Sequence, residues 1–233
     1  VSKRYVAFII FIFAIVICTL LFTTLIMDGY YMVSSLFLLA IIMLPFYVRF
    51  ERKAFVSREI VIVAVLAAIA AVSRVPFSIL PSVQTTSFVI IVSAIVFGSE
   101  TGFMIGATAA IVSNIFLGQG PWTPWQMFSW GMIGFIAGLL RNTFLMKKLW
   151  GRLIYGFVVG FVFGWIMNFW GLLGFIREAT WETVIAYYVA SFSFDLSHAI
   201  SNVIFLLLFS TSWITILTRF KKKYGILDEH KVT

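Results

Sequence analysis

Asp195 and His198 stand three residues apart in the run FDLSHAISN, within an apolar segment, and Asn202 carries the same helical face one turn further. An ionisable group in mid-membrane costs about 3 kcal/mol on insertion scales, so each such residue asks for a reason. A carboxylate and an imidazole at this spacing can bond each other as an interhelical lock, orient a ligand, or relay a proton. They make a poor metal site, because one carboxylate and one imidazole leave too few ligands and Cys18 is the only cysteine. They make a poorer enzyme, because no GxSxG, HExxH or paired-aspartate signature accompanies them.

Other polar groups share this apolar setting. Arg74 lies two residues before Pro76, where it can snorkel to the interface or meet an anionic group on a ligand. Asn168 sits between Trp165 and Trp170 in WIMNFWG, a pattern that suits an aromatic belt or a pocket wall with one orienting amide. Gln84, Thr85 and Thr86 are short polar handles of the same kind. The densest collection is GQGPWTPWQM, residues 118–127. Pro121 and Pro124 stiffen it, while Gly118 and Gly120 permit the turns at its start. Trp122 and Trp125 offer flat apolar faces, and Gln119, Thr123 and Gln126 offer hydrogen bonds, the mixture of a small-molecule pocket. An interfacial anchor would use the tryptophans but has no need of the glycine and proline framing. His230, in the polar tail, is expected to be inert.

The elements that position these groups are membrane helices. The 233 residues are 62% hydrophobic and 11% charged, and the mean hydropathy is +1.06, which leaves no polar block for a soluble catalytic or nucleotide-binding domain. Eight segments are long and apolar enough to be read as spans: Tyr5 to Met27, Met32 to Val48, Glu59 to Phe77, Val83 to Phe97, Thr101 to Leu117, Trp125 to Leu140, Leu153 to Phe175 and Val184 to Leu217. The fourth is short, and the last is long enough that its start can be a loop or interfacial turn. The first is too long for a signal-peptide core and reads as a retained helix. With the N-terminus in the cytoplasm, 15 of the 17 basic residues fall inside and only Arg74 and Arg177 outside, so both termini are expected to be cytoplasmic. The net charge of +8 is thus a topology signal rather than a nucleic-acid surface. The three polar loops, around Pro76 to Gln84, Gly118 to Met127 and Gly174 to Trp181, come together outside, alongside the short turn DGYY.

Small residues recur at helical intervals. Gly156, Gly160 and Gly164, then Gly102, Gly106 and Ala110, then Gly134 and Gly138 let backbones approach in lipid and point to a tight bundle. Ala64 with Ala68, and Ala67 with Ala71, form two interleaved pairs on one helix. They fit packing within the bundle equally with a smooth face on which a partner docks.

The runs SNIFLGQGPWTPWQMFSWGMIGFIAGLL and FDLSHAISNVIF resemble the substrate-binding S component of energy-coupling factor (ECF) vitamin transporters over about Ser57 to Lys222. The resemblance implies an all-α, polytopic transmembrane bundle: a six-helix core at residues 57–222, here preceded by two additional helices and a basic loop in residues 1–56 and followed by a tail at 223–233. It implies capture of a vitamin from outside by a multi-pass protein of the cell membrane that is no enzyme and holds no cofactor. A transmembrane coupling subunit and two cytoplasmic ATPase subunits would supply ATP-driven transport, the S component toppling in the bilayer to release its cargo. The family's AxxxA interaction motif falls on Ala64 and Ala68, which tilts the alanine face, Ala67 and Ala71 included, toward docking. By the same resemblance the loops at 76–84 and 118–127 gate the pocket, and the candidate ligand contacts are Arg74, Gln84, Gln119, Trp122, Trp125, Gln126, Asn168, Asp195 and His198. The sequence looks most like the cobalamin-specific branch; pantothenate, a thiamine precursor or a queuosine precursor would also suit aromatic walls with amide handles.

Overall fold

The computed structural model describes residues 31–51, 57–174 and 180–225, with all regular secondary structure among them helical. The expected first helix with Cys18, nearly all of the DGYY turn, Arg177, His230 and the terminal charges lie outside the described residues. The helices are α1 (Tyr31–Glu51), α2 (Ser57–Val72), α3 (Thr86–Phe97), α4 (Ser99–Leu117), α5 (Thr123–Leu139), the single turn α6 (Phe144–Lys147), α7 (Leu149–Leu173) and α8 (Trp181–Tyr224). A 3-10 turn at Val75–Phe77 extends the α2 segment.

Among the described residues four stretches, Glu59–Phe77, Ser99–Leu117, Leu149–Leu173 and Trp181–Tyr224, are long and apolar enough to cross a membrane. The protein is a polytopic helical membrane bundle. Its centre is α3, whose 12 residues reach only about 18 Å, well short of the roughly 30 Å hydrocarbon layer. All of α3 but Ile95 is buried, because α2, α4, α5 and α8 pack around it. A helix that is apolar all round belongs inside, and one that never meets lipid has no need to span it. That explains why the fourth apolar segment is short. Its start is tied to the end of α2 by side chains: Thr86 Oγ1 donates to the Ala70 carbonyl at 3.0 Å and Thr85 Oγ1 to that of Ser73 at 2.6 Å. Carbonyls that a helix end would leave without donors are thus satisfied.

The small residues do bring backbones together. A Cβ on Gly102 would strike the carbonyl of Gly134, and one on Gly134 the carbonyl of Gly102, so α4 and α5 meet backbone to backbone. Between α7 and α8, a Cβ on Gly160 would strike the backbone of Ala199 and one on Gly164 the carboxylate of Asp195.

The last helix corrects the expectation of an interrupted start. It runs unbroken for 44 residues, about 66 Å, far longer than a single span requires. Thr180 and Thr183 cap its first turn reciprocally, no glycine or proline interrupts it, and Gly225 ends it in the left-handed region. Lys221, Lys222 and Lys223 in the last turn oppose the negative end of its dipole.

Helix α1 packs on α4, α5 and α7. Phe46 stacks on Phe103 at 4.2 Å and meets Phe135 edge-on, and Leu39 joins Trp125 and Leu173 in a buried cluster. The antiparallel order of α2 to α8 gathers the polar loops at 73–85, 118–122 and after Leu173 at one end of the bundle, hereafter the loop end. Arg141, Lys147, Lys148 and Lys221–Lys223 collect at the other, the basic end.

Candidate functional site

At the loop end one hydrogen-bonded network joins α2, α4 and α5. Arg74 lies two residues beyond the end of α2, and its guanidinium turns into the bundle instead of snorkelling outward. Nη1 donates to Ser113 Oγ at 3.0 Å and Asn114 Oδ1 at 2.9 Å, and the cation lies 5.0 Å from the centre of the Trp130 ring. Asn114 passes the polarity on: its Nδ2 donates to Gln126 Oε1 at 2.6 Å and to Thr123 Oγ1 at 3.0 Å. Thr123 Oγ1 donates in turn to Gln119 Oε1 at 2.9 Å, and Gln119 Nε2 donates to the Ile111 carbonyl at 2.8 Å. The 118–127 segment is therefore tied down by its own amides. Gly118, at φ +104°, makes the turn out of α4 that other residues resist, and the missing Cβ of Gly120 leaves room for the Trp122 ring to fold over it.

Trp130 connects this network to α8. Its indole N–H donates to Ser87 Oγ at 3.2 Å, and Ser87 Oγ lies 2.9 Å from His198 Nε2. An indole only donates, so Ser87 accepts from Trp130, and its hydroxyl shares a second hydrogen bond with His198 Nε2. Phe163 packs against Trp130 at 4.8 Å and edge-on against His198 at 5.0 Å.

Asp195 and His198 share a helical face but form no lock with each other. His198 pairs with Ser87, whereas Asp195 Oδ2 accepts from Ser191 Oγ at 3.3 Å, and Ser191 Oγ also accepts from Asn168 Nδ2 at 2.5 Å. Three residues of helix rotate the two side chains enough that one meets α3 and the other α7. Of the alternatives open to the pair, the mutual bond is not the one made, and the arrangement in which a carboxylate orients an imidazole base is not made either. Asn202 follows a third course, with Nδ2 donating to the Gly156 carbonyl at 3.0 Å.

Aromatic rings cover the loop end. Trp122 meets Trp170 and Trp125 meets Phe169, each edge-to-face at 5.9 Å. Trp125 is buried, with α1 closing over it through Leu39. The indole nitrogens of Trp125 and Trp170 and Oε1 of Gln84 are enclosed yet have no hydrogen-bond partner, although the backbone N–H of Gln84 donates to Ser201 Oγ at 3.2 Å. Buried polar atoms without partners are uncommon and ask for an explanation; Ser93, Ser129, Arg152 Nε, Asn202 Oδ1 and Ser210 share the condition elsewhere in the bundle.

Of the candidate contacts, Arg74, Gln119 and Gln126 belong to one network, and His198 is linked to it through Ser87 and Trp130. Trp122 and Trp125 lie in the aromatic cover, while Asn168 and Asp195 form a separate cluster between α7 and α8. Ser87, Ser113, Asn114 and Trp130 were not among the candidates. Asn114 carried the same signal as Asn168, an amide inside an apolar helix, and Trp130 carried a donor that must find an acceptor when buried. The alanines divide: Ala64 and Ala68 are exposed, whereas Ala67 and Ala71 are in the core at 1% and 0% exposure. The last two are corrected from docking to packing.

No curated protein and no solved structure matches the chain. The family described as "ECF transporter, substrate-specific component" matches residues 58–220, well over half of the chain and all of the helices that carry the network and its aromatic cover. The chain therefore belongs to the substrate-specific component family of ECF transporters.

Proposed function

We propose that the loop end faces the outside and captures a vitamin there, both termini being cytoplasmic. Family membership makes the chain a transport subunit, not an enzyme, that associates with an ECF module of transmembrane and ATPase subunits. The observation that supports a ligand at the loop end is the pair of buried indole N–H groups, Trp125 and Trp170, left without acceptors beside the Arg74–Asn114–Gln126 network. A cargo that fits them carries carbonyl or carboxylate acceptors on a flat apolar body. Cobalamin, with amides around a corrin, is our first choice; pantothenate, a thiamine precursor and a queuosine precursor are the alternatives.

The exposed pair Ala64 and Ala68 is the face we assign to the coupling subunit. It stands among Ile60, Val61, Val65, Ile69 and Val72, all exposed, and small side chains there permit close helix approach. Among the described residues, helix α1 packs chiefly on α4, α5 and α7, and Ala64 and Ala68 are exposed. Proteoliposomes test the assignment: radiolabelled cobalamin should accumulate only when the transmembrane and ATPase subunits and ATP are present. Accumulation by the chain alone would refute it.

A further inference from the structure

A cavity of about 280 Å³ opens at the basic end, between the last turns of α3 and α8, lined by Ile95, Val96, Ile214, Thr218, Lys221 and Lys222. It lies far from the aromatic cover, at the opposite end of both helices. Its origin is the length of α8. Gly160 meets Ala199 and Arg152 Nη2 donates to Thr211 Oγ1 at 3.2 Å, so the start of α7 lies level with about Thr211, and the turns of α8 beyond it continue past α7 against α3. Lys221 anchors this overhang, its Nζ donating to the Val96 carbonyl at 3.2 Å.

The lining is amphipathic along the helix axis. Ile95, Val96 and Ile214 give an apolar floor toward the bundle, and Thr218 and Lys222 give a hydroxyl and an ammonium toward the basic end. Residues 214, 218, 221 and 222 share one face of α8, so donors and floor belong to one groove. Two turns along the same face of α8 from Ile214, Leu207 is exposed and continues the apolar surface as a flank toward mid-membrane. A soluble anion would use only the rim. A molecule with a phosphate at one end and hydrocarbon at the other would use rim, floor and flank together.

We propose that this cavity binds the phosphodiester headgroup of an anionic phospholipid in the leaflet at the basic end, with Lys222 and Thr218 donating to the phosphate and an acyl chain lying along Ile95 and Ile214. Lys221, held by the Val96 carbonyl, ties α8 to α3 beside the rim. In the topology proposed above this is the cytoplasmic leaflet, where basic clusters meet anionic headgroups; the site itself does not depend on what the loop end captures.

The test is native mass spectrometry of the purified chain from nanodiscs of phosphatidylcholine with phosphatidylglycerol. Wild type should retain one phosphatidylglycerol, and Lys222→Gln with Thr218→Val should weaken that retention by about tenfold, the scale of one lost charge-assisted hydrogen bond. Both positions line the rim of an open cavity, so the variant is expected to fold; unchanged vitamin affinity checks this separately. Equal retention by variant and wild type, or equal retention of phosphatidylcholine, overturns the proposal. Titration with inorganic phosphate separates the sources: phosphate that displaces the lipid at matched concentration would make this a soluble-anion site and also overturn it.

Discussion

The inward turn of Arg74 is the feature most open to a quantitative test. Replacing it with Met keeps an unbranched apolar stem but removes the donor to Asn114 Oδ1, leaving an acceptor on a residue that is 2% exposed. An enclosed acceptor without a donor costs about 1 to 3 kcal/mol, and the lost contact with the Trp130 ring adds about 1 kcal/mol. Releasing the guanidinium from a desolvated site acts in the opposite direction, so the expected net loss is about 2 kcal/mol. Asn114→Leu removes the acceptor but strands Thr123 and Gln126, and its cost should be similar. The double variant carries the decisive number: with donor and acceptor both gone, its loss should fall short of the sum of the singles by about 1 to 2 kcal/mol. Equilibrium unfolding of all four proteins in mixed micelles measures this coupling. Additivity within about 0.3 kcal/mol would mean that Arg74 extends to the interface and that the network is misread.

Four further outcomes are expected. Ala68→Leu should abolish uptake by the assembled transporter while leaving vitamin affinity and stability unchanged, whereas Ala67→Leu should destabilise the bundle by about 1 to 3 kcal/mol through overpacking; loss of ligand affinity in Ala68→Leu would refute a docking role. Trp125→Phe removes the unpartnered N–H together with part of the ring's packing, so affinity should drop about tenfold or more while stability falls by about 1 to 2 kcal/mol; unchanged binding returns this indole to packing. Leu39→Ala, in a cluster with Trp125, should cost about 2 to 4 kcal/mol in the unfolding assay if α1 is part of the folded core, and under 0.5 kcal/mol if it only lies alongside. Gly160→Val, which drives a side chain into the Ala199 backbone, should prevent α7 and α8 from pairing, read as failure to purify as a monodisperse protein.

Periodicity and composition made the helices legible, since hydrocarbon must be crossed by segments that satisfy their own backbone. The small-residue intervals marked a tight bundle, and the structure uses them where α4 meets α5 and α7 meets α8. What they could not convey was which side of a helix meets which neighbour. Ala64, Ala67, Ala68 and Ala71 are identical side chains, and only the position of α3 and α4 separates the buried pair from the exposed one. Asp195 and His198 illustrate the same limit: three residues of spacing defines a shared face, but the angular spread within that face is enough to send one to Ser87 and the other to Ser191. Arg74 was legible as an unusual cation and illegible in direction, because Ser113, Asn114 and Trp130 reach it from segments about 40 and more residues away.

Calorimetry of the purified chain against cobalamin, pantothenate, a thiamine precursor and a queuosine precursor tests the central claim most directly. One of them should bind at one site per chain with no other subunit present, and cobalamin is the one expected. An isolated, folded chain that binds none of the four would contradict the account.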